Sequence, residues 1–205
     1  MYLTDRDLEH AVKLKHLIVD PPPDQYDTTS IDLHLDKIET ARVWDAAAYE
    51  ADQRVAGHDL PVLKIGFQSQ AFAEKYHRAV TSDKKQLVFC DGNSIVLRPQ
   101  GFFLWQTSEN VGTPEENPRY ICFVDGKSTK ARVGLLVHMT APTIHAGWWG
   151  RVVLEIANLG PFTLSLSPGD SIAQIVVASL TSPPVNKKKV KGVSIGQAAT
   201  SGQSK

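Results

Sequence analysis

Between Gln86 and Ala178 the sequence changes character every few residues, and that rhythm limits the chain to a sandwich or barrel of short strands. Runs rich in β-branched, aromatic or long apolar residues occupy 86–90, 94–97, 101–107, 120–124, 133–138, 151–157, 162–166 and 172–178. Asp91-Gly92-Asn93, Pro99-Gln100, Gly160-Pro161 and Pro168-Gly169-Asp170 punctuate them with residues that suit turns. One long polar stretch, SENVGTPEENP at 108–118, is read as a loop.

The first third reads differently. Thr4 suits an N-cap, and Asp5 and Asp7 place carboxylates in the first turn of a helix that would end near Lys15. Leu17-Ile18-Val19 is a short apolar run, and Pro21-Pro22-Pro23 forbids regular structure after it. Residues 30–35, SIDLHL, alternate as a half-buried strand does. Residues 45–60 suit either a short helix or a loop, Leu60 to Phe67 suggests a further strand, and 68–85 carries no clear period. The expected organisation is one mainly β domain over 1–182 with a short N-terminal helix, then a polar tail over 183–205 that cannot build a core.

Composition excludes several classes. A length of 205 residues and 42% hydrophobic content suit one globular domain, and a formal net charge of zero gives no global field toward nucleic acid or an anionic membrane. No apolar run is long enough to span a bilayer, and the early charges in MYLTDRDLEHAVK do not make a signal core. Cys90 and Cys122 form no CxxC, so reduced thiols in a cytoplasmic protein are expected.

The oddest residue is Glu155, a carboxylate inside Val152-Val153-Leu154-Glu155-Ile156. A charge among large apolar residues is seldom buried without a partner. Burial would raise its pKa toward the range where one carboxyl both takes and gives a proton. By itself the pattern fits better a residue facing solvent on an alternating strand. Upstream, Gly126-Lys127-Ser128-Thr129 followed by Arg132 makes a turn with a Gly, a Lys and hydroxyls, a composition that suits an anion nest.

Three blocks together carry a resemblance. GKSTKARVGLLVHMTA at 126–141, IHAGWWGRVVLE at 144–155 and PGDSIAQ at 168–174 resemble, in order and spacing, the dCTP deaminase branch of the dUTPase superfamily. Leu3-Thr4-Asp5-Arg6-Asp7 and Thr29-Ser30-Ile31-Asp32-Leu33 resemble the family's opening helix and first strand, and residues 36–90 are the poorest match. The resemblance implies a distorted jelly roll, a homotrimer with active sites between subunits, and hydrolysis of dCTP to dUTP and ammonia. It implies no zinc, with Mg2+ only as the nucleotide's counterion; the HxE and PCxxC of a zinc deaminase are absent from the chain.

Carried over by position, the resemblance makes Glu155 the general base and acid, with Ser128 and Arg132 beside it and the backbone carbonyl of Ala141 on the reacting water. Nucleotide contacts would come from Lys127, Ser128, Thr129, Arg132, His145, Trp148, Val153, Leu154, Glu155, Gln174 and, in the tail, Gln197. His138 matches a family His expected to be structural, and Lys130 stands where the family has an apolar residue. His145 replaces a family Asp; a neutral imidazole still donates to a sugar hydroxyl but is no permanent anion. Gly196-Gln197 fits a tail that closes over the triphosphate, with Lys189 or Lys191 in place of the family's flanking residues. The alternatives are a dUTP diphosphatase of the same fold and a catalytically silent nucleotide-binding relative.

Overall fold

The computed structural model describes residues 1–185, so Gln197, Gly196, Lys189 and Lys191 lie outside the described residues. The chain opens with helix α1 (Asp5–Lys13), where the backbone N–H and the hydroxyl of Thr4 both donate to the Asp7 carboxylate. The helix stops two residues short of Lys15, because Lys15 takes a left-handed φ of 56°. Strands β1 (Ile18–Asp20), β2 (Ile31–His34) and β3 (Arg42–Trp44) follow, with β1 ending at the prolines as their missing N–H groups require.

Residues 45–60 resolve as a helix, α2 (Ala46–Val55), capped by the Asp45 carboxylate on the Ala48 N–H. The strand expected over 60–67 does not form. Pro61 removes a ladder donor, and Leu60, Val62 and Ile65 are exposed instead of alternating into a core. The unassigned stretch after it contains α3 (Ser69–Tyr76) and β4 (His77–Ala79).

The β-rich part contains β5 (Val88–Asp91), β6 (Ser94–Leu97), β7 (Phe102–Gly112), β8 (Tyr120–Gly126), the one-turn helix α4 (Ser128–Ala131), β9 (Leu135–Leu136), β10 (Thr143–Ile144), β11 (Trp149–Asn158), β12 (Leu164–Leu166) and β13 (Ser171–Ser179). The strand expected over 133–138 shrinks to Leu135–Leu136. β7, by contrast, runs five residues into the expected loop. Its inward positions Thr107, Glu109 and Val111 are buried, and Glu109 reads as polar in sequence yet accepts from the His34 backbone N–H and sits 2.6 Å from His34 Nδ1. A buried carboxylate with two partners is tolerated in a strand that composition alone would reject.

All pairings are antiparallel. One sheet runs β4-β3-β7-β11-β9 with β1 also on β7, a second runs β10-β8-β13-β2, and a third runs β12-β6-β5. One buried cluster joins them, with Phe103, Trp105, Leu154 and Ile156 from the first sheet against Leu33, Val124, Ile175 and Val177 from the second. The chain is mainly β, as its rhythm predicts. Among the described residues no helix is long and apolar enough to cross a membrane.

Candidate active site

β11 sorts its side chains onto two faces. Leu154 and Ile156 are fully buried in the core, whereas Val153 and Glu155 are half-buried on the opposite face. The side chain of Leu154 therefore packs in the core. One Glu155 oxygen accepts from the Met139 backbone N–H at 3.3 Å. β9 pairs with β11 at Ala157 and Asn158, and among the described residues no strand pairs with the same edge beside Val153 and Glu155.

The Glu155 face is roofed by the segment that resembles the family least. α2, the 61–67 connection and α3 line a half-open cleft of about 710 Å3, and Val153, Glu155 and Met139 form part of its wall. Its roof is a ring cluster: Phe72 lies 5.2 Å from Trp44, 4.9 Å from Phe67 and 4.8 Å from Tyr76, centroid to centroid. The volume is that of a ligand pocket and not of a packing gap. Sequence reading missed these residues; the one available signal was Phe72 and Tyr76 four apart, on one helical face.

A polar cluster forms at one end of the second sheet. β13 sets Gln174 opposite Asp125 of β8 and Asp32 of β2. Lys127 ion-pairs with Asp32, which also accepts from the Ser171 hydroxyl at 2.9 Å. Burial opposes the charge on Asp32, but the Lys127 and Ser171 hydrogen bonds and the Lys127 charge outweigh it and hold the carboxyl below its ordinary pKa. Ser30 donates to the Gln174 side chain at 3.2 Å. Lys127 and Gln174, far apart in sequence, are thus brought together, with Asp32 fixing the ammonium.

Ser128, Thr129 and Arg132 are exposed on and just after α4, and the half-buried Lys130 is less open to solvent than either hydroxyl. α4 leads into Gly134, which meets the far end of β11: the Leu159 N–H donates to Gly134 O at 2.8 Å. From Leu159 back to Glu155 is four residues, roughly 14 Å of strand. Among the described residues of one chain, no hydrogen bond or ion pair joins Glu155 to Ser128 or Arg132. Ala141 and His145 are exposed, and Trp148 lies over Gly150, where an added Cβ would stand 3.1 Å from the indole. His138 is half-buried, with an Nδ1 that has no hydrogen-bond partner.

A family model described as dCTP deaminase-like matches residues 2–180. The chain belongs to the dCTP deaminase-like family. A dCTP deaminase of Shewanella amazonensis is 32% identical over 194 residues, covering 92% of this chain and 90% of that protein. Those of Idiomarina loihiensis and Marinomonas sp. are 31% and 30% identical over comparable lengths. The fold of this dCTP deaminase-like chain is also that of the 2'-deoxycytidine 5'-triphosphate deaminase of Agrobacterium tumefaciens, with a TM-score of 0.56 at 17% identity over 86% of this chain. The match covers 47% of that longer chain, so this chain spans about half its length.

Proposed function

We propose that this protein hydrolyses dCTP to dUTP and ammonia, with Glu155 as the proton shuttle in a site completed by a second copy of the chain. The observation that carries the reading is the place of Glu155, on the wall of a ligand-sized cavity, beside an open strand edge and on the face away from the core. The names of the relatives support the substrate.

The chemistry needs water at C4 and a leaving ammonia. The water oxygen bonds to C4 as Glu155 takes a proton and passes it to N3. The remaining hydroxyl proton is carried to N4, the C4–N4 bond breaks, and a C4 carbonyl forms. The Met139 N–H holds one Glu155 oxygen, which leaves the other to face the water. Arg132 and Ser128 supply donors for the base oxygen and the reacting water, and the Ala141 carbonyl accepts from that water. Lys127, steadied by Asp32, and the hydroxyl of Thr129 meet the triphosphate, whose Mg2+ arrives with the nucleotide. Gln174, His145, Trp148, Val153 and the main chain of Leu154 complete the nucleotide contacts.

Among the described residues of one chain no hydrogen bond or ion pair joins Arg132 to Glu155, and in this reading a neighbouring copy presents its α4 to that strand. A homotrimer with three shared sites meets this need. Separating products after incubation with dCTP, and separately with dUTP, tests the reading. The expected result is dUTP and ammonia from dCTP and no pyrophosphate from either, since His145 stands where a diphosphatase needs a water-orienting Asp. Release of pyrophosphate at a comparable rate, or no turnover of dCTP, would overturn it.

A further inference from the structure

We infer that the cavity roofed by α2 and α3 is a subsite for an apolar substituent on C5 of the cytosine. The inference rests on the proposed deaminase reading and adds to it a substrate class, the 5-substituted deoxycytidine triphosphates. Glu155 must lie beside C4, whose two ring neighbours are N3 and C5. N3 and the adjoining O2 are polar and need partners; set against an apolar wall that supplies none, they would weaken binding. The cavity offers almost none. Three of its polar side chains are already engaged: the Asp45 carboxylate caps α2 and pairs with Arg78 Nε at 3.1 Å, Tyr49 donates to Val62 O at 3.0 Å, and Tyr76 donates to Asp52 at 2.9 Å.

With those groups engaged, ring faces and aliphatic carbon dominate the wall around Glu155. The apolar C5 edge of the base is the edge that fits it, and N3 and O2 then face the open edge of β11, where main-chain groups stand. About 710 Å3 is far more room than C5–H requires, and more than a methyl or a short alkynyl group fills. The roof is built by this chain's segment 44–76.

The test compares steady-state deamination of dCTP, 5-methyl-dCTP and 5-propynyl-dCTP, with each product identified by mass as amine replaced by carbonyl. Hydrolysis proceeds as before, and the methylated substrate yields thymidine triphosphate. The expected kcat/KM for 5-methyl-dCTP is about fourfold above that for dCTP, the gain from burying one carbon, with 5-propynyl-dCTP at least equal to dCTP. Ala46→Trp, which fills the cavity from α2, is expected to cut 5-propynyl-dCTP turnover at least tenfold while dCTP turnover stays within twofold; Leu63→Trp serves if the first variant does not fold. Deamination of dCTP with both analogues at least tenfold poorer would overturn the subsite and leave the deaminase reading standing. Turnover of none of the three would remove the deaminase reading and the subsite with it.

Discussion

Glu155 and Asp32 are two carboxylates with different tasks. Glu155→Gln keeps the shape of the side chain and its contact with the Met139 N–H but cannot accept a proton. Turnover is expected to fall about 10²- to 10⁴-fold while dCTP binding, read by calorimetry, stays within a few fold. Wild-type-like turnover in that variant would exclude the shuttle. Asp32 works through Lys127. Because its pKa is depressed in the folded protein, its contribution to stability is fully present above the unfolded value, roughly 3.9, and is lost as pH falls through the lower folded value. Asp32→Asn should therefore be less stable than wild type in urea at pH 7, with the gap narrowing as pH falls below the unfolded value and closing only below the depressed folded one. It should also raise KM for dCTP more than it lowers kcat, since Lys127 loses its anchor. A gap that stays constant with pH would contradict the pairing.

At the scale of elements, β11 separates packing from chemistry along one strand. Leu154→Ala empties a core position and is expected to cost about 2–5 kcal/mol in urea unfolding, with kcat unchanged in the fraction that stays folded. Val153→Ala, half-buried on the cavity side, should cost less than about 1.5 kcal/mol and act on KM instead. The join of α4 to β11 depends on close backbone contact. A Cβ on Gly134 would stand 2.1 Å from Gly160 N, at a φ of +91°, so Gly134→Ala should destabilise by about 2–4 kcal/mol. Strand rhythm makes β11 legible in sequence and the motif blocks mark the 126–132 segment, since each depends on local pattern, although that segment reads as a turn and forms the one-turn helix α4. Glu109 is not legible, because its acceptability in β7 depends on His34, 75 positions away. The α2–α3 roof is not, because its rings meet only after β3 and β4 pair and bring Trp44 to His77. Lys127 reads in sequence as a phosphate contact; its bond to Asp32 spans 95 positions and leaves no local trace.

For the whole molecule, the proposed site takes Glu155 from one copy and α4 from another, and on that reading assembly is a condition of activity. Light scattering should give a trimer, and dilution to monomer should abolish turnover. The most direct measurement mixes two inactive proteins, Glu155→Gln and Arg132→Ala, under conditions that allow subunits to exchange. A site that takes its carboxylate from one copy and its guanidinium from the next is intact in about a quarter of the random pairings. Deamination of dCTP should therefore return to about a quarter of the wild-type rate per subunit. No recovery, with exchange verified by mass spectrometry of the mixed oligomers, would contradict a deaminase site shared between copies.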